Sequence, residues 1–205
     1  MSDPKAPVPA KYRIAYVAVF IDGAYLEELY LHDAIKVKVD FARFSFEVFK
    51  EIEKRSGQSL QLLRTYYYHA LPYLDPKNPR PGAEAAYYKK ANFFQMLQSL
   101  PVFEVRKGRT VRRFDDDGVP YHVQKQVDVL LGLDFALLAA ENRITHAVLV
   151  AGDEDFVPAL EAAKARGVQV WVVHGPRDTV GQQLLSTADW AFELDEKLQK
   201  KVSMP

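Results

Sequence analysis

The chain contains no cysteine, which excludes disulfide bonds, thiolate nucleophiles and thiolate metal sites. It also lacks any apolar run near the length of about 20 residues that a helix needs to cross a bilayer, so we expect no membrane contact. The 27 Lys and Arg residues are balanced by 27 Asp and Glu residues, so nucleic acid would have to bind a local basic patch. These features are typical of a cytoplasmic protein.

The 205 residues suffice for one domain with a sizeable core. Residues 1–11 are rich in Pro and Ala and lack the apolar centre of a signal peptide, so we expect a disordered lead-in. Predicted strands and helices alternate over residues 12–195, which favours one three-layer α/β domain with a mostly parallel central sheet. Residues 196–205 are expected to form a C-terminal tail.

Local signals set several element boundaries. Asp40 is a predicted cap for a helix over residues 41–54, which Gly57 ends. An Asp-Gly pair at residues 117–118, between extended stretches, predicts a hairpin or a flap across residues 108–126. Further helices are predicted over residues 127–140 and 156–166.

Two apolar runs end in carboxylates. Residues 146–156 read HAVLVAGDEDF, a strand apolar at nearly every position and followed by Asp153 and Asp155. Residues 16–23 read YVAVFIDG and end at Asp22 in the same way. Ligands of open α/β sheets bind at the carboxyl ends of the strands, so the pattern predicts a metal site at that edge.

The helix predicted over residues 127–140 adds Asp128 and Asp134. A right-handed crossover starts this helix at the same edge, which places Asp128 in the first turn near the site. Asp134 lies about 9 Å further along the axis and shares a face with leucines, so a structural or supporting role is favoured over a direct one. Three of the acids also have a purely structural interpretation: Asp22 and Asp155 would cap helices, and Asp128 would complement a helix dipole.

Converging carboxylates repel one another, and without a cation at least one of them would protonate. A ligand set made only of oxygen suits Mg²⁺ or Mn²⁺ and not Zn²⁺. Two such ions, about 4 Å apart, can activate a water and stabilise a leaving oxygen during phosphodiester hydrolysis.

Three stretches resemble the NYN domain in its LabA-like branch, a group of PIN-like, metal-dependent ribonucleases. They are FIDGAYL (20–26), KQVDVLLGLD (125–134) and VLVAGDEDFVPALEAAKARGVQVWVV (148–173). The resemblance runs from about Tyr12 to Leu194. It implies a PIN-like, Rossmann-like fold, a metal-dependent endoribonuclease activity, Mg²⁺ or Mn²⁺ as the cofactor, RNA as the substrate, and a homodimer.

The metal-binding acids of that family match four positions here: Asp22, Asp128, Asp153 and Asp155. Asp134 matches a further acidic position whose role stays open. The chain departs from the family pattern at Tyr25, where Asn is common, and at Ala151, where Ser or Thr is common. Both departures remove small polar groups beside the expected metal site.

RNA would need cations near these acids. Lys125 directly precedes the helix that carries Asp128, and its alternative interpretation is a solvated lysine. The densest basic run contains Arg106, Lys107, Arg109, Arg112 and Arg113. Because Arg109, Arg112 and Arg113 fall in the predicted hairpin, they would either clamp the RNA backbone or simply face solvent.

Other function classes remain open at this point. A non-catalytic RNA-binding or regulatory module of the same fold is favoured by Tyr25 and Ala151. A phosphoesterase acting on a small molecule would also place Asp at strand ends. A receiver domain would need paired acids after its first strand and a lysine after its last, and the sequence has neither arrangement. The absence of a GxxxxGK[ST] motif argues against a P-loop nucleotidase.

Overall fold

The structure, a computed structural model, describes residues 15–75, 77 and 80–204. The lead-in predicted over residues 1–11 lies outside these ranges. The strands are β1 (Ala15–Asp22), β2 (Leu60–Ala70), β3 (Phe103–Phe114), β4 (Pro120–Lys125), β5 (His146–Val150), β6 (Gln169–His174) and β7 (Trp190–Glu193). The helices are α1 (Gly23–Leu31), α2 (Phe41–Ser56), α3 (Ala83–Gln98), α4 (Val127–Ala140), α5 (Val157–Lys164), α6 (Gln182–Thr187) and α7 (Glu196–Val202). Two short 3-10 turns lie at Glu154–Phe156 and Arg177–Thr179.

The strands form one seven-stranded sheet in the order β4-β3-β2-β1-β5-β6-β7, and only the β3–β4 pair is antiparallel. Central strands β1 and β5 are apolar at consecutive positions because helices cover both faces of the sheet. Ile21 pairs with Val150, so the residues that follow both strands leave the sheet at one edge. The predicted three-layer α/β fold is confirmed.

Each face of the sheet has its own hydrophobic core. Val17, Val19 and Ile21 of β1 point to a core shared with α1, α2, α3 and α7. Ala18 and Phe20 alternate with them and point to a core shared with α4, α5 and α6, as the two-residue period of a strand requires. Across the described ranges, no helix is long and apolar enough to cross a membrane.

Several local predictions are confirmed. The Asp40 carboxylate accepts a hydrogen bond from the Arg43 backbone N–H at the start of α2, and Gly57 ends that helix in the left-handed conformation. β3 and β4 form the predicted hairpin, with Gly118 at a φ of 76° in its turn.

Other boundaries differ from the predictions. Asp155 does not cap α5, because it lies within a 3-10 turn that Asp153 caps by accepting a hydrogen bond from the Asp155 backbone N–H at 2.9 Å; the N-cap residue of α5 is Phe156. The intervening 3-10 turn delays the start of α5 to Val157. Residues 196–205, expected to be a tail, contain α7, whose Leu198 and Val202 are buried in the core.

Candidate active site

A cleft of about 430 Å³ opens at the carboxyl edge of the sheet. It is lined by Asp22, Asp128 and Asp153, three of the four acids predicted from the sequence to bind metal. The other lining residues are Ala24, Tyr25, Glu28, Gln124, Val127, Gly152 and Thr179. The three acids come from the end of β1, the first turn of α4 and the segment after β5, so the crossover topology brings distant parts of the chain together.

Asp22 is the buried member of the set, with 8% of its surface exposed. As the N-cap of α1, it accepts hydrogen bonds from the backbone N–H groups of Ala24 at 2.9 Å and Tyr25 at 3.3 Å. The pKa of Asp22 is raised to about 6, mainly by burial; the two hydrogen bonds oppose this rise and the charge of Asp128 contributes to it. A cation in the cleft would relieve this cost of ionisation.

Asp128 and Asp153 are exposed at the mouth of the cleft. The pKa of Asp128 is raised by partial burial first and then by the charges of Asp153 and Asp155. Asp155 is therefore within electrostatic reach of Asp128, although in the described part of the chain it lies outside the lining of the cleft. Three of the four predicted metal ligands therefore line the site together with Glu28, and the fourth, Asp155, lies beside it.

The side chain of Asp134 makes its contacts outside the cleft. The Tyr68 hydroxyl donates a hydrogen bond to Oδ2 of Asp134 at 3.0 Å, and Nε of Arg106 lies 3.0 Å from the same oxygen. These contacts tie α4 to β2 and β3. They favour the structural interpretation of Asp134 over a ligand role.

The basic residues of the hairpin divide between its two faces. Directly opposed residues of an antiparallel pair share a face. Arg109 lies opposite Lys125, and Arg113 is on the same side of β3 as Arg109 because two-residue spacing preserves the face. Arg112 points to the other side, opposite His122, with Nη1 3.8 Å from a carboxylate oxygen of Asp75. Lys125 is exposed and lies outside the cleft lining within the described residues.

The sequence interpretation missed the loop after β6 as part of the cleft. Thr179, in this loop, lines the cleft beside Tyr25. The Tyr25 hydroxyl lies 3.0 Å from Oγ1 of Thr179 and accepts a hydrogen bond from the Gly175 backbone N–H at 2.8 Å. The strand order could have indicated this loop, because all loops that follow parallel strands lie at the carboxyl edge of the sheet.

Gly152 allows the Thr179 carbonyl and the Tyr25 ring to lie close to the segment after β5. A Cβ atom at residue 152 would lie 2.3 Å from the carbonyl oxygen of Thr179 and 2.5 Å from the Tyr25 ring. Any side chain would therefore push the β6 loop away from the segment that carries Asp153. The glycine of the GDEDF motif thus has a packing role beside the acids.

A model of the NYN domain family matches residues 16–195. The chain belongs to the NYN domain family. The crystal structure of a protein of unknown function from Vibrio parahaemolyticus is similar over 89% of this chain and 94% of that chain, with 22% sequence identity and a TM-score of 0.57. At that identity the likeness shows the fold alone. No curated protein matches the chain.

NYN domains are generally metal-dependent ribonucleases, so the fit of this cleft to a cation matters. The donor chemistry fits, because carboxylate oxygens that raise one another's pKa suit a hard divalent cation. The side chains are further apart than the ligands of a bound ion would be: among the described residues, no three His, Asp or Glu side chains are gathered closely enough to hold one. Binding would require the exposed carboxylates of Asp128 and Asp153 to turn toward Asp22.

Proposed function

We propose that this NYN domain is a metal-dependent endoribonuclease of the LabA-like branch that hydrolyses RNA phosphodiester bonds with Mg²⁺ or Mn²⁺. The observation that carries the proposal is the meeting of Asp22, Asp128 and Asp153, from three separate segments, in one cleft. The LabA-like assignment is supported by the motifs around Asp22, Asp128 and Asp153. A cytoplasmic location and a homodimer belong to the same proposal, and the mass in solution tests the latter.

Each acid would have its own part in holding the ion. Asp22 is the anchor, because burial and two backbone hydrogen bonds fix its carboxylate before any ion arrives. Asp128, from α4, and Asp153, from the segment after β5, would add ligands to the ion, and Asp155 would add negative charge nearby. A bound divalent ion would supply Lewis acidity and an activated water, so no protein nucleophile is needed.

The hairpin supplies the cationic surface that RNA would need. Arg109, Arg113 and Lys125 share one face of it, opposite to the face of Gln124, and Lys125 lies two residues before the start of α4. Contacts from these side chains to phosphates would position the strand without reading its sequence. Gln124 and Thr179 line the cleft as neutral hydrogen-bonding groups available to the substrate.

A second candidate is a non-catalytic RNA-binding module. Two observations favour it: no three acidic or histidine side chains gather at ion-binding distance within the described residues, and Tyr25 is buried where the family commonly has Asn. Such a module would bind RNA through the hairpin and leave it intact.

Cleavage of a labelled, mixed-sequence RNA with Mn²⁺ or Mg²⁺, with an EDTA control, tests the proposal. We expect metal-dependent cutting that is lost in Asp153→Asn. Glu154→Gln is the matched control, because Glu154 accepts a hydrogen bond from the Gln183 backbone N–H and a glutamine oxygen can replace it. Cutting that persists in Asp153→Asn would overturn the site assignment. RNA binding without cutting by the wild-type protein would establish the second candidate.

A further inference from the structure

A larger cavity of about 1040 Å³ adjoins the acid cleft. It lies between α1, α3, the end of β2 and the hairpin. Gln124 lines both spaces, and its Oε1 accepts a hydrogen bond from the Ala70 backbone N–H at 3.2 Å, which holds the hairpin beside the end of β2. The two spaces therefore meet at Gln124, and an RNA strand in the acid cleft would border this cavity.

The charged groups in the cavity are mostly cationic. Among the described residues, Lys38, Lys89 and Lys90 line it together with one carboxylate, that of Glu27. The Lys90 side chain is only 13% exposed, and its ammonium contacts Glu27 and lies 3.1 Å from Nε2 of His69. Glu27 is half exposed and is also shared with His69, whose Nε2 lies 2.8 Å from Oε2. Three ammonium groups against one carboxylate give this lining a net positive charge, which favours an anionic ligand.

The walls of the cavity are largely aromatic and apolar. Tyr67, Tyr73 and Phe93 line it, and the ring of Tyr73 stacks on that of His122 with centroids 4.9 Å apart. The Thr110 hydroxyl donates a hydrogen bond to the Leu71 carbonyl at 2.6 Å, which holds the segment before Tyr73 against the hairpin. Flat aromatic walls beside ammonium groups match a nucleotide, which combines a planar base with a phosphate.

We propose that this cavity binds one nucleotide of the RNA strand whose scissile phosphate enters the acid cleft. The base packs against Tyr73 and Phe93, and its phosphate meets Lys89 and Lys90. The proposal rests on the ribonuclease function proposed above for the choice of RNA as the occupant. Because Gln124 lines both spaces, a strand that reaches the acid cleft would also border this cavity, which favours a strand over a free nucleotide.

Two neighbouring alanines of α3 give a matched test. Ala85 and Ala86 are both exposed, and of the two Ala86 lines the cavity. Ala86→Trp would fill the space from its rim, whereas Ala85→Trp adds the same bulk outside it. The probe is a fluorescein-labelled 12-nucleotide single-stranded RNA, followed by anisotropy in EDTA and by cleavage in Mn²⁺. Should Ala86→Trp not fold, Lys89→Met replaces it, because Lys89 is exposed.

We expect Ala86→Trp to weaken RNA binding by about tenfold or more, the scale of one lost base-stacking contact, and Ala85→Trp to bind as the wild type does. Mn²⁺ affinity should be equal in both variants. Equal RNA affinities for the two variants would overturn the proposal. So would AMP binding to the wild type as tightly as the RNA, because the occupant would then be a free nucleotide.

The same data separate the two proposals. A wild-type protein that binds RNA through this cavity but never cuts it would support the nucleotide pocket and contradict the nuclease function. Metal-dependent cutting with equal affinities and rates for Ala86→Trp and Ala85→Trp would support the nuclease function and contradict the pocket.

Discussion

The hydroxyl groups of Tyr25 and Thr179 lie 3.0 Å apart and join α1 to the loop after β6. The single hydroxyl proton of Thr179 is donated to the Pro176 carbonyl at 2.7 Å, so Tyr25 must be the donor between the two. The Tyr25 oxygen accepts the Gly175 N–H in turn. Burial raises the pKa of Tyr25, which keeps the required proton in place. Two walls of the acid cleft are thus held by one side chain.

Replacing Tyr25 with Phe should lower the free energy of unfolding by about 1–3 kcal/mol, because the Gly175 N–H loses its partner in a buried setting. Chemical denaturation measures the change. Tyr88→Phe is the control, because Tyr88 is exposed and should tolerate the loss of its hydroxyl. A Tyr25→Phe protein as stable as the control would mean that the hydroxyl contacts do not hold the loop.

Replacing Asp22 with Asn should stabilise the metal-free protein while abolishing metal-dependent cleavage. Asn still caps α1, and it removes a carboxylate that is buried near Asp128, a gain of about 1 kcal/mol or more. Unfolding in EDTA and cleavage of labelled RNA in Mn²⁺ provide the two readouts. Asp116→Asn, in the exposed hairpin turn, should change neither. A less stable Asp22→Asn protein would contradict the inference that the buried Asp22 carboxylate destabilises the metal-free fold.

Replacing Asp134 with Ala should destabilise the fold by about 1–3 kcal/mol, because the hydroxyl of the buried Tyr68 loses its acceptor. Asp134→Asn should cost less, since its side-chain oxygen can still accept that hydrogen bond. Both proteins, once folded, should retain metal-dependent cleavage, in contrast to Asp128→Asn. Loss of cleavage in Asp134→Asn with the fold intact would instead give Asp134 a part in the reaction.

Removing one charge from the hairpin should change the salt dependence of RNA binding. Arg109→Gln and Arg113→Gln should each reduce the slope of log affinity against log salt by about 1, provided each side chain meets one phosphate. Anisotropy titrations over a series of salt concentrations measure that slope. Arg166→Gln, in the exposed segment after α5, should leave it unchanged. A slope unaffected by either hairpin variant would place the RNA elsewhere.

RNA binding should weaken as the pH rises above about 8. Burial lowers the pKa of Lys90 from 10.5 to about 8, so its ammonium is lost in that range, and a bound phosphate would move the loss upward. Glu27 and His69 face this ammonium directly, and Lys38, Lys89 and Lys107 lie around it. Burial lowers the pKa of His69, which therefore stays neutral through this range.

The lowered pKa of Lys90 also makes the stability of the fold depend on pH, and stability should rise where RNA binding weakens. Between about pH 8 and 10.5 the unfolded chain keeps a proton on Lys90 that the folded chain has released, so the free energy of unfolding should rise with pH there. Lys90→Met should remove both pH dependences, and Lys54→Met, in the exposed last turn of α2, should remove neither. Identical pH profiles for Lys90→Met and the wild type would exclude Lys90 as their source.

The sequence alone determined the elements whose signals are local. Asp40 and Gly57 bound α2 through contacts within a few residues, and the unbroken apolar run of β5 predicted a strand covered on both faces. Strand direction then placed Asp22 and Asp153 at one edge, because every parallel strand of the sheet ends there. The pattern of a buried strand followed by an acid therefore predicted where in the fold the acid cleft lies.

Only the tertiary structure decided which groups surround those acids. Tyr25 and Thr179 are 154 positions apart, and no local pattern predicts that their hydroxyl groups meet. The side chain of Asp134, in α4, contacts Tyr68 of β2 and Arg106 of β3 instead of lining the cleft. The cavity around Lys90 likewise exists only where α1, α3 and the hairpin pack together. Periodicity and capping act over a few residues, whereas these contacts depend on how distant segments pack in space.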